Sequence, residues 1–424
     1  MPPSSGSPPP GSPDAGRAAA ALRRLADDVV ALLPRTPPRP AGGLPWGADA
    51  ASDHLRYRYW DAERRARTGP PPPQASEGPL VSVVVPVYRP ELWYFRAAVA
   101  SVQAQTYGHW ELCLCDDASG DAELSAAMAA MAAADPRIKI TALERNGGIS
   151  RATNAALALA RGELVALLDH DDTLEPDALA TVVDVVAAHP DADVLYSDDD
   201  KIDADDVAYQ PHFKPDWSPD LLLSYPYMGH LLVVRRRLLH DIGGFRPEFD
   251  GSQDFDVMLR ATEQARRVVH IPRVLYHWRA VAGSAAGDSA AKPWAHDASR
   301  RAVADAMTRR GVAGRLDDGP FPGAYHVRRA VAGDPLVSVL VPFRDQAAMT
   351  ARCLDSLALE AERHRIEVVL VDNGSVEPET AALLARVTGD VTVLRDDGPF
   401  NWSAINNLAA SRARGDYLLF LNND

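Results

Sequence analysis

The segment Asp169-His170-Asp171-Asp172 places three carboxylates directly after an apolar run at residues 163–168. The apolar run predicts a buried strand, which delivers its last residues to the carboxyl edge of a sheet, where open α/β folds bind ligands. Carboxylates clustered there ionise together at low cost only when a cation lies among them, and Mg²⁺ or Mn²⁺ prefers oxygen ligands and bridges phosphate oxygens. This acidic loop (residues 169–172) therefore predicts a divalent-metal and diphosphate site, with a helix N-cap before Pro176 as the structural alternative.

Three further segments carry groups that suit a nucleotide. Asp116 and Asp117 end a predicted strand and can accept hydrogen bonds from a base imide and ribose hydroxyls, or else are solvated or capping residues. A predicted helix begins within the segment Asn146-Gly147-Gly148-Ile149-Ser150-Arg151-Ala152-Thr153-Asn154. The N-terminus of a helix favours phosphate. Arg151 can offset diphosphate charge there, whereas Gly148 and Ser150 also suit a plain cap. The first strand ends in Pro86-Val87-Tyr88-Arg89-Pro90. A loop there can bind a base or ribose, or it only terminates the strand.

Three later segments carry further candidate groups. Asp254 lies in the first turn of a predicted helix at residues 251–260, where a carboxylate can take a proton from an acceptor hydroxyl or simply favour the helix dipole. His277 follows a predicted strand and is a third metal ligand, a diphosphate contact or a structural histidine. The acidic run at residues 197–201 either lines the acceptor side or forms a solvated turn.

The elements that position these motifs alternate between strands and helices. The predicted strands are 81–87, 110–115, 138–143, 163–168 and 193–196, and the predicted helices between them are 91–106, 124–134, 149–161 and 176–189. This alternation predicts an α/β fold with a mainly parallel sheet flanked by helices. Further helices are predicted at 54–67 and 295–310.

The chain then repeats its opening pattern. Pro79-Leu-Val-Ser-Val-Val-Val-Pro86 recurs as Pro335-Leu-Val-Ser-Val-Leu-Val-Pro342, and Asp116 recurs 256 residues later as Asp372 (372 − 116). Asn154 and Asp169 recur as Asn407 and Asn422, each 253 residues later (407 − 154, 422 − 169). Landmarks in the same order indicate an internal duplication. The predicted layout is a disordered segment 1–15, a helical and linker region 16–78, a first domain 79–282, a helix and linker 283–334 and a partial second domain 335–424.

In this register the last residue, Asp424, matches Asp171, so the second copy has no counterpart of later residues such as Asp254. We expect that the second copy is not an independent catalyst. The chain is then either a fragment of a longer protein with two catalytic domains, or it carries a natural pseudo-domain.

Composition limits the partners and the compartment. A net charge of −14 over 424 residues argues against nucleic acid as a general partner. The three cysteines have no zinc-ligand or disulfide spacing, which favours a reducing cytosol. No signal peptide is recognisable, and no apolar run reaches the ~18 residues of a membrane helix, so any membrane contact is expected to be peripheral, at the inner face of the plasma membrane.

Taken together, these motifs resemble the family 2 glycosyltransferases, inverting enzymes with the nucleotide-diphospho-sugar transferase fold called GT-A. The resemblance covers residues 79–282 and, as a partial copy, 335–424. The segments at residues 214–220 and 276–279 look like a branch that contains O-antigen and other bacterial polysaccharide transferases. Gln253 stands where many members carry glutamate.

The resemblance implies a role for each matching residue. Asp116 and Asp117 would contact the nucleoside, Asp169 the ribose or diphosphate, and Asp171 the divalent metal. Asp254 would be the catalytic base, and His277 a metal or phosphate contact. The expected reaction moves a sugar from a nucleotide-diphospho-sugar to a hydroxyl of a growing glycan or lipid-linked acceptor in cell-surface polysaccharide synthesis.

Two alternatives have different sequence requirements. A sugar nucleotidyltransferase would need a Gly-rich loop with Arg or Lys just after the first strand, where this chain has Tyr88-Arg89-Pro90-Glu91. A non-catalytic carbohydrate-binding or scaffold module would need no nucleotide site.

Overall fold

The computed structural model describes residues 50–68, 78–280 and 293–424. These belong to a first unit that ends at Arg328 and a second unit that begins at Arg329. The predictions for residues 1–15 and for most of the region 16–78 lie outside the described residues. The elements of the first unit are α1 (Ala50–Thr68), β1 (Val81–Val87), α2 (Leu92–Gln103), β2 (Trp110–Asp116), α3 (Ala122–Ala134), β3 (Ile138–Ala142), α4 (Ile149–Leu159), β4 (Leu164–Leu167), β5 (Thr173–Leu174), α5 (Ala178–Ala188), β6 (Val194–Ile202), β7 (Ala208–His212), α6 (Pro219–Ser224), β8 (Leu232–Arg235), α7 (Arg236–Asp241), a 3₁₀ turn (Pro247–Phe249), α8 (Gln253–Gln264), β9 (Val268–Arg279), α9 (Pro293–Arg309), β10 (Gly314–Asp318) and β11 (Tyr325–Arg329).

The main sheet of the first unit has the strand order β3-β2-β1-β4-β8-β6-β9-β5, with β7 beside β6. Strand β1 pairs in parallel with β2 on one side and β4 on the other, and β8 is an antiparallel insertion between β4 and β6. Apolar residues of β1 and β2 are buried on both faces, as a covered parallel sheet requires. The predicted α/β fold with a mainly parallel sheet is confirmed.

The chain winds from β1 to β2 and β3 in one direction and then crosses back to place β4 on the other side of β1. The strand order therefore reverses between β1 and β4. In open α/β sheets a crevice forms at the carboxyl ends of the strands at such a reversal, and ligands bind there. The loop after β1 and the acidic loop after β4 both lie at this crevice.

Two expectations for the later part of the first unit differ from the structure. The acidic run 197–201, for which a solvated turn was one of two alternatives, lies inside β6, where Asp198, Asp199 and Asp200 are buried against His270, Lys214 and His277. Residues 311–334 are not all linker, because β10 and β11 form a two-stranded sheet within them. The helix predicted at 54–67 is confirmed as α1.

The second unit repeats the first four strands of the sheet. Its elements are β12 (Val337–Phe343), α10 (Ala347–Ala361), β13 (Ile366–Asp372), α11 (Pro378–Leu384), β14 (Val391–Arg395), α12 (Trp402–Ala410) and β15 (Tyr417–Phe420). The strand order β14-β13-β12-β15 is that of β3-β2-β1-β4, and every described pair is parallel.

The side-chain ties between these strands are repeated as well. Ser82 donates to Glu111 Oε1 over 2.6 Å and accepts from the amide of Gly162 over 2.9 Å. The second unit has the same ties in Ser338, which donates to Glu367 over 2.5 Å and accepts from Gly415 over 2.8 Å. The internal duplication predicted from sequence is therefore confirmed.

Among the residues that the structure describes, no helix has both the length and the apolar character needed to cross a bilayer.

Candidate functional site

The acidic loop is fixed to strand β9 by buried hydrogen bonds. Asp172 is fully buried, and its carboxylate accepts from the Tyr276 hydroxyl over 2.5 Å and from the Arg279 amide over 2.7 Å. The amide of Asp169 donates to the same Tyr276 oxygen over 3.3 Å. Asp172 is thus a structural anchor, while Asp169, His170 and Asp171 stay partly exposed at the sheet edge.

The charges of the acidic loop are concentrated in one place. Burial raises the pKa of Asp172 well above its ordinary value, and the neighbouring charges of Asp169 and Asp171 raise it further. Such a cluster favours a cation. In the described part of the chain, no group of at least three His, Cys, Asp or Glu side chains is arranged to hold a metal ion by itself. Mg²⁺ and Mn²⁺ usually take few protein carboxylates and complete their shell with water and phosphate oxygens, and the carboxylates of Asp169 and Asp171 suit such a cation.

Arg279 stabilises the acidic loop through hydrogen bonds and an ion pair. Its buried side chain donates from Nε to the Asp171 carbonyl over 2.8 Å and from Nη1 to the Asp203 carbonyl over 3.0 Å, and it pairs with Asp206 at 2.6 Å. The guanidinium also lies 4.5 Å from the Tyr94 ring centroid. The contact with Asp171 is made by its backbone carbonyl and does not use its carboxylate.

Asp254 approaches the acidic loop from helix α8. It is the second residue of that helix, and its Oδ1 accepts from the Phe255 amide over 2.8 Å. Burial raises the pKa of Asp254, the nearby His230 opposes this effect, and the charge of Asp169 adds to it. Because the charge of Asp169 influences Asp254, the two carboxylates lie in the same part of the molecule. A carboxylate with a raised pKa is a stronger base.

His230 is a site residue that the sequence did not reveal. Its ring stacks on the Tyr276 ring, with centroids 4.6 Å apart and planes inclined by 15°. It thus lies on the ring whose hydroxyl holds Asp172. Buried Lys214 fixes this position, because its ammonium donates to the carbonyls of Met228 and His230 and pairs with Asp199 at 2.5 Å.

Helix α8 is held in place by a buried ion-pair cluster. Asp256 is fully buried and accepts from Arg260 Nη2 over 2.6 Å and from Arg246 Nε over 3.1 Å. Arg260 also donates to the carbonyls of Ile242 and Gly244, each over 2.7 Å. These contacts fix the loop before α8 and so determine where Asp254 points.

The predicted phosphate site at the start of α4 does not match the structure. Asp117 accepts from the amides of Gly147 and Gly148 over 2.6 and 3.0 Å, and Asp250 accepts from the amide of Ser150 over 3.1 Å. Gly148 has φ of 87°, and a Cβ there would lie 2.1 Å from Asp250 Oδ2. Carboxylates therefore take the amides that a phosphate would need, and Gly148 allows Asp250 to approach.

Two other predicted nucleotide contacts have different roles in the structure. Asn154 bonds the Phe245 backbone in both directions, from Nδ2 to the carbonyl over 2.7 Å and to the amide over 2.9 Å, and so joins α4 to the loop before α8. Arg151 is exposed and donates to the Gly147 carbonyl over 3.0 Å.

The residues predicted at the ends of β1 and β2 do lie at the crevice. Asp116 is buried and accepts from the Ser119 amide over 3.0 Å. The Pro86 carbonyl accepts from His170 Nδ1 over 3.3 Å, which links the end of β1 to the acidic loop. Tyr88 is exposed beside them. The site therefore combines the ends of β1, β2 and β4 with Asp254 from α8.

His277 does not fit the predicted role of metal ligand or diphosphate contact. It is buried, and both ring nitrogens are taken, Nδ1 by Asp200 over 2.6 Å and Nε2 by Glu175 over 3.0 Å. Burial opposes the charged ring, but the bonds to these two carboxylates outweigh it and raise the pKa of His277 to about 9. A doubly hydrogen-bonded imidazolium has no lone pair for a metal.

This pairing predicts a loss of stability at alkaline pH. The folded-state pKa of about 9 exceeds the unfolded value of ~6.5, so the stabilisation is complete below pH ~6.5 and disappears as pH rises through about 9. The free energy of unfolding should fall by about 3 kcal/mol over this interval. Urea unfolding between pH 6 and 10 measures it. His277→Gln should flatten the profile, and the exposed His240→Gln should not; equal slopes in all three proteins would contradict the prediction.

The chain is similar to one protein family and to curated proteins over most of its length. The family model described as glycosyl transferase family 2 matches residues 82–246 and 338–424. Protein y4gI of Sinorhizobium fredii, described as uncharacterized, is 43% identical over 87% of this chain and 41% of its own length. O-antigen biosynthesis protein RfbC of Myxococcus xanthus is 42% identical over 82% of this chain and 27% of its own length. The chain thus spans less than half of either relative.

A solved structure of Staphylococcus aureus TarS 1-349 in complex with UDP-GlcNAc is similar over 54% of this chain and 66% of that one, with 22% identity and a TM-score of 0.44. The family match covers strands β1 to β8 of the large sheet and the strands of the small sheet. Together with the mainly parallel strand order, it supports the predicted GT-A fold, with a second partial copy.

Proposed function

Since this chain belongs to glycosyl transferase family 2, we propose that its first unit transfers a sugar from a nucleotide-diphospho-sugar to a hydroxyl group of a glycan or lipid-linked acceptor. One observation supports the proposal. Asp254, at the start of α8, has a pKa that burial raises and that the charge of Asp169 in the acidic loop raises further. A carboxylate base near a cation-binding loop suits a displacement between two substrates.

On the donor side, Asp171 would hold a divalent cation and Asp169 would contact the ribose or diphosphate. When bound, the cation neutralises charge on the leaving nucleoside diphosphate. Asp116 and Asp117, with the loop at Pro86 and Tyr88, would surround the nucleoside. Asp117 would act partly through the loop at residues 146–148, whose amides it already binds.

On the acceptor side, Asp254 takes the proton from the acceptor hydroxyl. The acceptor oxygen forms its bond to the anomeric carbon as the bond from that carbon to the diphosphate oxygen breaks. One carboxylate base without an enzyme nucleophile gives a single displacement, so the configuration at the anomeric carbon inverts. Similarity to an O-antigen biosynthesis protein supports cell-surface polysaccharide as the product class.

The test is a donor screen that detects release of nucleoside diphosphate, with and without Mn²⁺, in the presence of saccharide acceptors. Transfer with inversion supports the proposal. Release of pyrophosphate from a sugar phosphate and a nucleoside triphosphate would instead indicate a nucleotidyltransferase. Absence of any nucleotide-dependent thermal stabilisation would indicate a non-catalytic module.

The second unit is expected not to be required for turnover. All the candidate site residues named above lie in the first unit, and Asn373, the counterpart of Asp117, uses its Nδ2 to bind the carbonyls of Asp396 and Gly398. Removing residues 335–424 should leave kcat within about twofold of the full chain. Steady-state kinetics of the shortened protein test this. Loss of transfer in a folded, donor-binding protein would contradict it.

A further inference from the structure

Helix α1 lies outside both segments that match the family, yet it is joined to the first unit by buried polar contacts. The Tyr57 hydroxyl donates to Asp200 Oδ2 over 2.6 Å, and both residues are buried. Two turns further along the helix, Arg64 pairs with Glu175 at 3.6 Å and donates to Asp61 over 2.6 Å. We propose that α1 is a positioning element of the transferase site, which holds the acidic loop in place through His277 and strand β9.

His277 connects the two contacts that α1 makes. Its Nδ1 donates to the other oxygen of Asp200, Oδ1, and its Nε2 donates to Glu175. Tyr57, Asp200, His277, Glu175 and Arg64 thus form one continuous chain of polar groups, which we call the α1 network. Positive charges on His277 and Arg64 offset the carboxylates of Asp200 and Glu175, so each buried charge is compensated within the network.

Strand β9 transmits the effect because adjacent residues of a strand point to opposite faces. His277 points towards α1, whereas Tyr276 points towards the site, where its hydroxyl binds Asp172 and accepts from the Asp169 amide. The neighbouring strand β6 alternates in the same way. Asp200 is paired with His277 on the α1 side, and Asp199 is paired with Tyr276 on the side of Lys214.

The acidic loop is also connected to the network along the chain. Strand β5 follows the loop directly and pairs with β9, Thr173 opposite His277 and Leu174 opposite Tyr276. Glu175, the next residue, is itself a member of the network, and its amide donates to the Leu275 carbonyl over 3.0 Å. The loop is therefore bounded at its end by a residue that α1 holds through Arg64. Removing the Tyr57 or Arg64 contact should loosen β5 and the loop together.

Hydrogen exchange in the full-length protein tests this, with Tyr57→Phe compared with Tyr59→Phe. Tyr59 lies on the same helix but is exposed, so the control removes the same hydroxyl outside the network. The reporters are the Asp169 amide, bonded to Tyr276, and the Glu175 amide, bonded to Leu275. In Tyr57→Phe both should exchange about tenfold faster or more, and in Tyr59→Phe at the wild-type rate. Arg64→Gln, at the other end of the network, should act like Tyr57→Phe.

If Tyr57→Phe and Arg64→Gln accelerate exchange only within residues 50–68, the helix docks without positioning the loop and the proposal is overturned. Unchanged exchange throughout overturns it as well. The activity readout depends on the proposed function: measured well below the unfolding temperature, kcat should fall about fivefold or more while the acceptor KM stays within about twofold. Hydrogen exchange requires no substrate. A wild-type protein without transferase activity would therefore refute the proposed function, while the exchange rates would still decide whether α1 positions the loop.

Discussion

Replacing Asp254 by asparagine is expected to lower turnover by about 100-fold or more while donor binding stays nearly unchanged. The amide keeps the shape of the carboxylate and can still accept from the Phe255 amide, so the start of α8 should be preserved. It cannot take a proton from an acceptor hydroxyl. Steady-state kinetics with saturating donor, together with a direct measurement of donor affinity, separate the two effects.

The pH profile gives this prediction a second readout. Because burial and the charge of Asp169 raise the pKa of Asp254, the rate should decline on acidification at a pH above the ordinary range of an aspartate. The active form is deprotonated, so the rate rises with pH through that value. The residual rate of Asp254→Asn should lack this acidic limb. Glu248→Gln, which changes an exposed carboxylate in the preceding 3₁₀ turn, is the control; wild-type turnover in Asp254→Asn would refute the assignment.

The crevice was predictable from sequence because short-range signals determine it. The unbroken apolar runs of β1, β2 and β4 predict buried parallel strands, and parallel strands end at one edge. The shared edge alone therefore predicts that Pro86, Asp116 and the acidic loop lie close together. Asp254 required the family resemblance in addition, since its position depends on how α8 packs and not on a local pattern.

The errors concern polar residues whose partners are distant in the chain. Asp200 bonds Tyr57, 143 residues away, and His277, 77 residues away, so its burial inside β6 leaves no local signal. The same distance hides the partnership of Asn154 with Phe245. A run of aspartates is usually solvated. Its burial can be predicted only when the charged or hydrogen-bonding partners that face it are known.

Asp250 and His230 were missed for a different reason. Asp250 caps α4 from a loop about 100 residues away, and Gly148 was the one clue, since a glycine before a helix indicates a close approach as readily as a phosphate site. His230 lies in an irregular segment, where the pattern of apolar residues does not indicate which side chain stacks on Tyr276. Its position depends on Lys214, whose burial the sequence did not reveal.

Replacing Asp171 by alanine is expected to abolish metal-dependent binding of a nucleoside diphosphate while the fold survives. The side chain is partly exposed, and its structural contact is made by the backbone carbonyl, which accepts from Arg279 and is kept by alanine. Loss of one carboxylate from a site with few protein ligands removes a large part of the affinity for the cation. Calorimetric titration with a nucleoside diphosphate, with and without Mn²⁺, measures the effect, and the unfolding temperature should stay close to that of the wild type.

Two comparisons give this prediction its specificity. Asp205→Ala removes an exposed carboxylate from the neighbouring turn at residues 203–206, which Arg279 braces, and should leave Mn²⁺-dependent binding intact. Asp172→Ala should instead lower the unfolding temperature, because it removes the buried acceptor for Tyr276 and for the Arg279 amide. Asp171 and Asp172, although adjacent in the chain, would then have different roles, the first in ligand binding and the second in stability. Unchanged Mn²⁺-dependent affinity in Asp171→Ala would exclude Asp171 as the metal ligand and shift the cation site towards Asp169.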